Sequence, residues 1–140
     1  MIRTRRLDIV RDTDSKGLTM KVAFASTDRI HIDEHFGRAR EFYLWEIEPE
    51  KAEFSGVLQV DEGFGDVDDR IEARSEALAD CALVYVGQIG GPAAARLVAK
   101  KIHPLKSKDA EPITEVVEKL QQVLQGNPPP WLRKAMMKGM

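Results

Sequence analysis

The chain has 140 residues, of which 43% are hydrophobic and 31% are charged, and this composition is typical of one ordinary globular domain. Its formal net charge of −2 disfavours nucleic acid as a partner, because nucleic-acid binding needs a broad basic surface. No apolar run approaches the roughly 20 residues of a membrane helix, and the basic start is not followed by the apolar core of a signal peptide. We therefore expect a cytoplasmic protein with no membrane partner.

Cysteine usage limits the metal chemistry that the chain can support. Cys81 is the single cysteine, so the chain cannot form an internal disulfide. It also cannot supply the four thiolates that usually hold an iron–sulfur cluster. Cys81 lies in an apolar run, and we interpret it as a small buried hydrophobic residue. Any cluster bound here would have to be largely complete already, or share its ligands with a partner protein.

Hydrophobic periodicity predicts five strands and three helices in the order β-β-β-α-β-α-β-α. The predicted strands cover residues 21–26, 41–48, 51–60, 81–86 and 102–106, and the predicted helices cover residues 67–78, 92–101 and 112–125. The second and third strands form an antiparallel hairpin, in which Gly56 predicts a bulge. Right-handed crossovers make the first, fourth and fifth strands parallel. The result is an α/β fold with a mixed five-stranded sheet of order 3-2-1-4-5 and helices on its faces.

The domain predicted from these elements spans residues 20–126. Residues 1–19 are interpreted as an N-terminal extension, because a polar, turn-rich stretch precedes the first strand. Residues 127–140 are interpreted as a C-terminal tail with a short basic amphipathic segment that begins at Trp131. That segment could dock on the domain or on a partner protein, or it could be a frayed end held by the tryptophan.

The predicted topology places a ligand site beyond the carboxyl ends of the first and fourth strands, where the direction of the connections changes. The first strand delivers a polar loop there, and the fourth delivers a glycine-rich turn that opens a helix. Free backbone N–H groups and the helix dipole would favour an anion, and arginines would add positive charge. The residues predicted to contact the ligand are Ser26, Arg29, His35, Arg38, Gly90 and Gly91.

His35 is the candidate metal ligand, because it lies in a loop between Glu34 and Phe36 and imidazole is a good ligand for transition metals. The alternative is a histidine that only caps the loop or the following helical turn. His31, four residues earlier, would have metal-like spacing only in a helix, and the alternating pattern around it argues against one. We expect His31 to be exposed and His103 to be structural.

Catalysis is poorly supported by the sequence. The carboxylates that cluster before and within the first helix lie where the helix dipole favours them in any case. The sheet order resembles that of the ribonuclease H-like fold, whose nucleases carry an acidic residue in the first strand for metal binding. The first strand here, residues 21–26, has no carboxylate, so a two-metal nuclease is disfavoured. No serine nucleophile elbow, P-loop or metalloprotease motif is present in the sequence.

Five separated stretches carry a resemblance that covers nearly the whole chain. They are Val22–Ser26, Asp33–Ala39, Leu78–Ala82, Ile89–Ala95 and Ile102–Pro104. Read together, they resemble the dinitrogenase iron–molybdenum cofactor biosynthesis family. The basic start at Arg5–Leu7 and the tail at Pro129–Leu132 are similar to one branch of that family. The resemblance implies a ribonuclease H-like fold without nuclease activity.

The resemblance also implies a function. It implies a small non-catalytic carrier whose transient cargo is the iron–sulfur precursor of the iron–molybdenum cofactor of nitrogenase. The implied partners are the cofactor-building and scaffold proteins of nitrogenase assembly, with dinitrogenase as a further partner for some relatives. A histidine is implicated in cluster binding in related members, and the His-Phe-Gly match carries that role to His35. The alternative function is an interaction module that stabilises a nitrogenase component without binding cluster, with the Trp131 segment as its contact.

Overall fold

The structure of the protein is a computed structural model that describes residues 19–60 and 67–137. The predicted N-terminal extension, apart from its last residue, lies outside the described residues. The loop predicted between the hairpin and the first helix, and the last three residues of the tail, lie outside them as well.

The described residues form the elements that the sequence predicts, with one added helix. The strands are β1 (Met20–Ala25), β2 (Glu41–Ile47), β3 (Ala52–Gln59), β4 (Leu83–Val86) and β5 (His103–Lys106). The helices are α1 (Val67–Ala77), α2 (Gly91–Ala99), α3 (Ile113–Gln125) and α4 (Pro130–Met136), and a short 3-10 turn spans Phe36–Arg38. The added helix α4 lies in the predicted tail. No described helix has the length and apolar character needed to cross a membrane.

The five strands form one mixed sheet of order β3-β2-β1-β4-β5, so the predicted fold class is confirmed. The central strand β1 pairs antiparallel with β2 and parallel with β4. The predicted bulge is present, because Leu44 lies opposite Gly56 while the next residue, Trp45, lies opposite Phe54. Gly56 has φ 153°, a conformation that glycine adopts at low cost.

Alternating side chains of β1 join two hydrophobic clusters, one on each face of the sheet. Val22 and Phe24 pack in the cluster that contains α3 and α4, whereas Ala23 and Ala25 pack in the cluster that contains α1 and α2. All four side chains are fully buried. Burial on both faces explains why β1 reads as a continuous apolar run rather than as an alternating one.

The C-terminal segment docks on the domain. Leu132, Ala135 and Met136 of α4 are buried in the same cluster as β1 and α3. The Trp131 ring stacks on His103 at the start of β5, with ring centroids 4.7 Å apart and an interplanar angle of 18°. Of the alternatives that the sequence left open for this segment, the structure shows docking on the domain itself, and it gives His103 the predicted structural role.

Candidate functional site

The loop that follows β1 is shaped by the side chains of Ser26 and Asp33. Ser26 Oγ accepts hydrogen bonds from the backbone N–H groups of Arg29 (2.9 Å) and Asp28 (3.2 Å). The Asp33 carboxylate accepts bonds from the backbone N–H (2.8 Å) and the hydroxyl (2.7 Å) of Thr27. The Ser26 hydroxyl, predicted to contact a ligand, is therefore engaged in building the loop, and Ser26 is only 6% exposed.

The turn after β4 holds the far end of this loop. The N–H of Gly87 donates to the carbonyl of Glu34 (2.9 Å), and the N–H of Phe36 donates to the carbonyl of Gln88 (2.8 Å). A Cβ atom at Gly87 would lie 3.0 Å from the carbonyl carbon of Asp33 and 3.2 Å from its oxygen. Gly87 therefore permits close approach of two backbone segments, whereas the sequence suggested that glycines of this turn approach a ligand.

His35 caps the 3-10 turn and also faces a cavity. Its Nδ1 accepts a hydrogen bond from the N–H of Gly37 (2.9 Å). Because a backbone N–H can only donate, the neutral ring must carry its proton on Nε2, an assignment that follows from the hydrogen bond. The capping role that the sequence left open as the alternative is therefore present. His35 lines a cavity of about 370 Å³ together with Arg38 and Gln88.

Three cavities at this edge of the sheet share Glu34 and Arg38 in their lining, and their volumes are about 450, 470 and 370 Å³. The cavity of about 470 Å³ is lined by Glu34, Gly37, Arg38, Arg40, Arg70 and Arg74. Four guanidinium groups against one carboxylate make its lining strongly cationic. Guanidinium groups bind oxyanions and other anions well, so this cavity favours an anionic ligand. The cavity that His35 lines differs, because Asp33, Glu34 and Asp109 line it with Arg38 as its one arginine.

Arg74 links helix α1 to the loop that carries His35. It is 1% exposed, and its Nε and Nη2 donate to the carbonyl of Ala39 at 3.1 and 2.9 Å. Within the helix predicted over residues 67–78, the helical spacing places Arg74 on the same face as Ile71 and Leu78. A charged residue in such a stripe was the signal that could have identified it, since arginine is rarely buried without partners. Arg70, which the sequence did not single out, lines the same cavity.

The structure brings some of the predicted contact residues together and leaves others apart. Arg38 lines all three cavities, whereas Ser26 and His35 each line one of them. Arg29, Gly90 and Gly91 line none of the three. Arg29 lies with its guanidinium 5.5 Å from the centre of the Tyr43 ring. Gly90 is the N-cap of α2 and Gly91 is its first residue, and a Cβ at Gly91 would meet nothing within 4 Å.

His31 forms a second polar centre in the same loop. Its Nδ1 lies 2.7 Å from Asp28 Oδ2, and both side chains are about two-fifths exposed, at 43% and 41%. The Asp28 carboxylate also accepts bonds from the N–H groups of Ile30 and His31, each at 2.8 Å. These hydrogen bonds, with the one from the His31 ring foremost, hold the pKa of the Asp28 carboxyl well below its usual range.

The described side chains do not form a donor set for a resident metal ion. Within residues 19–60 and 67–137, no three His, Cys, Asp or Glu side chains converge as metal ligands. Cys81 is 2% exposed in the core, as predicted, and the next residue, Ala82, bonds to Lys21 at the opposite end of β1 from the loop.

Comparison with known proteins adds to this geometry. The family model described as dinitrogenase iron-molybdenum cofactor matches residues 19–123. Protein NifX of Herbaspirillum seropedicae is 45% identical over 130 residues, covering 89% of this chain and 86% of that protein. The FeMo cofactor biosynthesis protein NifB of Bradyrhizobium diazoefficiens is 30% identical, covering 84% of this chain and 27% of that protein.

A solved structure supports the fold. The crystal structure of PH0822 aligns with a TM-score of 0.58 at 23% identity, covering 74% of this chain and 89% of that one. The predicted resemblance is confirmed, since the family model spans most of the chain and the similarity to NifX extends nearly from end to end. The chain belongs to the dinitrogenase iron–molybdenum cofactor family, in its NifX branch.

Proposed function

We propose that this chain is a non-catalytic carrier that binds the iron–sulfur precursor of the iron–molybdenum cofactor and passes it on. Its family and its NifX relatives support a part in biosynthesis of that cofactor. The finer statement, that the cargo is the iron–sulfur precursor, is what the family resemblance implies, and the arginine-lined cavity supports it only as a site for an anion. We place its partners among the proteins that build the cofactor and the scaffold that matures it, with dinitrogenase as a further candidate.

The observation that carries the proposal is the cavity lined by four arginines next to the one that His35 lines. Arg38 lines all three cavities at this edge of the sheet, and Arg40 lines two of them. An iron–sulfur cluster with bridging sulfides is anionic, so it is attracted to such a lining and can accept hydrogen bonds from guanidinium groups. Both arginines are exposed, so a cluster several ångströms across can reach them without any rearrangement of the core.

His35 contacts the cargo through Nε2 in this proposal. In the tautomer assigned from the Gly37 hydrogen bond, Nε2–H donates a hydrogen bond to a sulfide or another anionic atom of the cluster. Ligation of iron by Nε2 requires the proton to move to Nδ1, which breaks the hydrogen bond from Gly37. That bond is worth about 0.5–1.5 kcal/mol. Nε2 can therefore donate a hydrogen bond to the cluster, or ligate iron at a small cost in free energy. Such a contact suits a carrier, which must both hold and release its cargo.

The test is anaerobic co-elution of iron with the purified protein after mixing with the isolated precursor. We expect wild type to retain iron, and Arg38→Ala combined with Arg40→Ala to weaken retention roughly 10-fold, because two exposed charged contacts of about 0.5–1 kcal/mol each are lost. His35→Ala should weaken it as well. Arg133→Ala, at an exposed position of α4, is the control and should leave retention unchanged.

Two outcomes would overturn the carrier proposal. The first is that wild type retains no iron, in which case capture of a nitrogenase component without cluster would favour the interaction module. The second is that the double arginine variant retains as much iron as the Arg133→Ala control. Retention that falls as ionic strength rises would support the electrostatic part of the argument, since exposed charges are screened by salt.

A further inference from the structure

We propose that His31, oriented by Asp28, is a metal-binding residue whose Nε2 ligates an exposed iron of the cargo. The identity of the metal rests on the proposed function above, whereas the assignment of the ligating nitrogen rests on the geometry of this chain alone. The ligand class is a first-row transition metal that is already coordinated by other atoms and has one open position.

The hydrogen bond between His31 and Asp28 fixes the tautomer of the ring. An ionised carboxylate can only accept, so Nδ1 of His31, at 2.7 Å from Asp28 Oδ2, must carry the proton. Nε2 of the neutral ring therefore presents a lone pair. Among the residues that the structure describes, none hydrogen-bonds to that Nε2, and the side chain is 43% exposed. A carboxylate behind a metal-binding imidazole is the common arrangement in metalloproteins, because it fixes the ring and raises its basicity.

The ring and its carboxylate are held in place before any ligand arrives. Asp28 Oδ1 accepts from the backbone N–H groups of Ile30 and His31, both at 2.8 Å, so the carboxylate has little freedom to rotate. The backbone on the other side of His31 is tied to the segment before α3, where the N–H of Ile32 donates to the carbonyl of Glu111 at 2.9 Å. Such preorganisation reduces the entropic cost of binding.

The two histidines of the loop present opposite chemistry to a ligand. Nδ1 of His35 accepts from Gly37, so its neutral ring offers an N–H at Nε2, whereas His31 offers a lone pair at the same atom. A metal cluster exposes both kinds of partner, since its sulfides accept hydrogen bonds and its iron atoms accept lone pairs. The structure therefore favours His31 over His35 as the residue that can ligate iron without a change of tautomer.

One imidazole cannot hold a free metal ion tightly, and this limits the ligand class. No third group of metal-binding side chains joins His31 and Asp28 in the described part of the chain. The site is thus suited to the last open position of a preformed cluster. Binding of a hydrated ion should be detectable only as a weak, local effect at the ring.

The first arm of the test uses the protein alone. NMR of isotope-labelled histidine should show the proton on Nδ1 of His31 and on Nε2 of His35. Titration with Co²⁺ should then broaden the ring signals of His31 first. The backbone amide signals of Ile30 and Ile32 should broaden with it, and His31→Ala should abolish that amide broadening. Asp28→Ala should weaken the apparent Co²⁺ affinity about 10-fold or more, and His35→Ala should leave it unchanged. A proton on Nε2 of His31, or broadening that begins at His35, would overturn the proposal.

The second arm measures retention of the iron–sulfur precursor under anaerobic conditions. His31→Ala should lose at least ~10-fold in retention, with Asp28→Ala losing less because the imidazole remains. If wild type retains the precursor and His31→Ala retains it equally, the His31 proposal fails while the carrier proposal stands. If wild type retains no precursor, the carrier proposal fails, and Co²⁺ binding at His31 in the first arm would still support the metal-binding nitrogen.

Discussion

Gly87→Ala should displace the loop that carries His35. The added Cβ would lie 3.0 Å from the carbonyl carbon of Asp33, and that neighbour is backbone, which cannot rotate away as a side chain would. Crowding of this kind in a packed region costs about 1–3 kcal/mol. The loop can relieve it only by loosening the hydrogen bonds from Gly87 to Glu34 and from Phe36 to Gln88. We therefore expect lower stability and weaker cluster retention together.

The assay is urea unfolding followed by anaerobic iron co-elution, with Gly91→Ala as the matched control from the same turn. A Cβ at Gly91 meets nothing within 4 Å, so stability should be unchanged or slightly higher. Equal stability of the two variants, within about 0.5 kcal/mol, would refute the close-approach argument. If Gly91→Ala keeps its stability but loses iron retention, then the cluster approaches Gly91, as the sequence suggested.

Two further variants test packing and ionisation on the other face of the sheet. Leu132→Ala should destabilise the protein by about 2–5 kcal/mol in urea unfolding, because the side chain is 2% exposed. The control Lys134→Ala, at an exposed position, should stay within about 0.5 kcal/mol of wild type. Equal urea midpoints of the two variants would show that packing of α4 adds nothing to stability. Burial, with the Glu111 carboxylate nearby, raises the pKa of Tyr85 to about 12 from an ordinary value of 10.0, so its contribution to stability is intact below pH 10 and is lost as pH rises through about 12. Tyr85→Phe should remove up to about 3 kcal/mol of that alkaline loss, and an unchanged pH dependence would contradict the burial argument.

The sheet was predictable from the sequence because its pattern is set locally. The run from Val22 to Ala25 is apolar on both faces, and the β2–β3 hairpin is closed by a short turn, so strand order and direction follow from few choices. The sequence could not decide whether the segment of α4 docks on the domain, and the reason is physical. The seven residues of α4 have too little intrinsic helicity to be predicted alone, and only burial of Leu132 against β1 and α3 decides the outcome.

The candidate site was only partly predictable, because its members come from distant parts of the chain. The position of His35 beyond β1 followed from topology, but its tautomer depends on one hydrogen bond from Gly37 that no sequence pattern encodes. Arg74 and Arg70 belong to α1, which is distant in sequence from the loop that carries His35. Helical periodicity could predict which face of α1 they lie on, but not which cavity they line. The role of Gly87 likewise depends on how closely Asp33 approaches it.

The docked C-terminal segment changes how the interaction-module alternative can be tested. Deleting residues 127–140 would remove Leu132 and Met136 from the core and the Trp131 ring from His103, so the truncated chain should be destabilised. Loss of partner binding in that variant would therefore not identify the segment as a contact. Substitution of exposed Lys134 leaves the buried face of α4 intact, so it tests the outward surface alone. If that variant keeps both stability and partner binding, Lys134 is not part of the recognition surface for a nitrogenase component, and the arginine-lined edge near His35 becomes the next place to look.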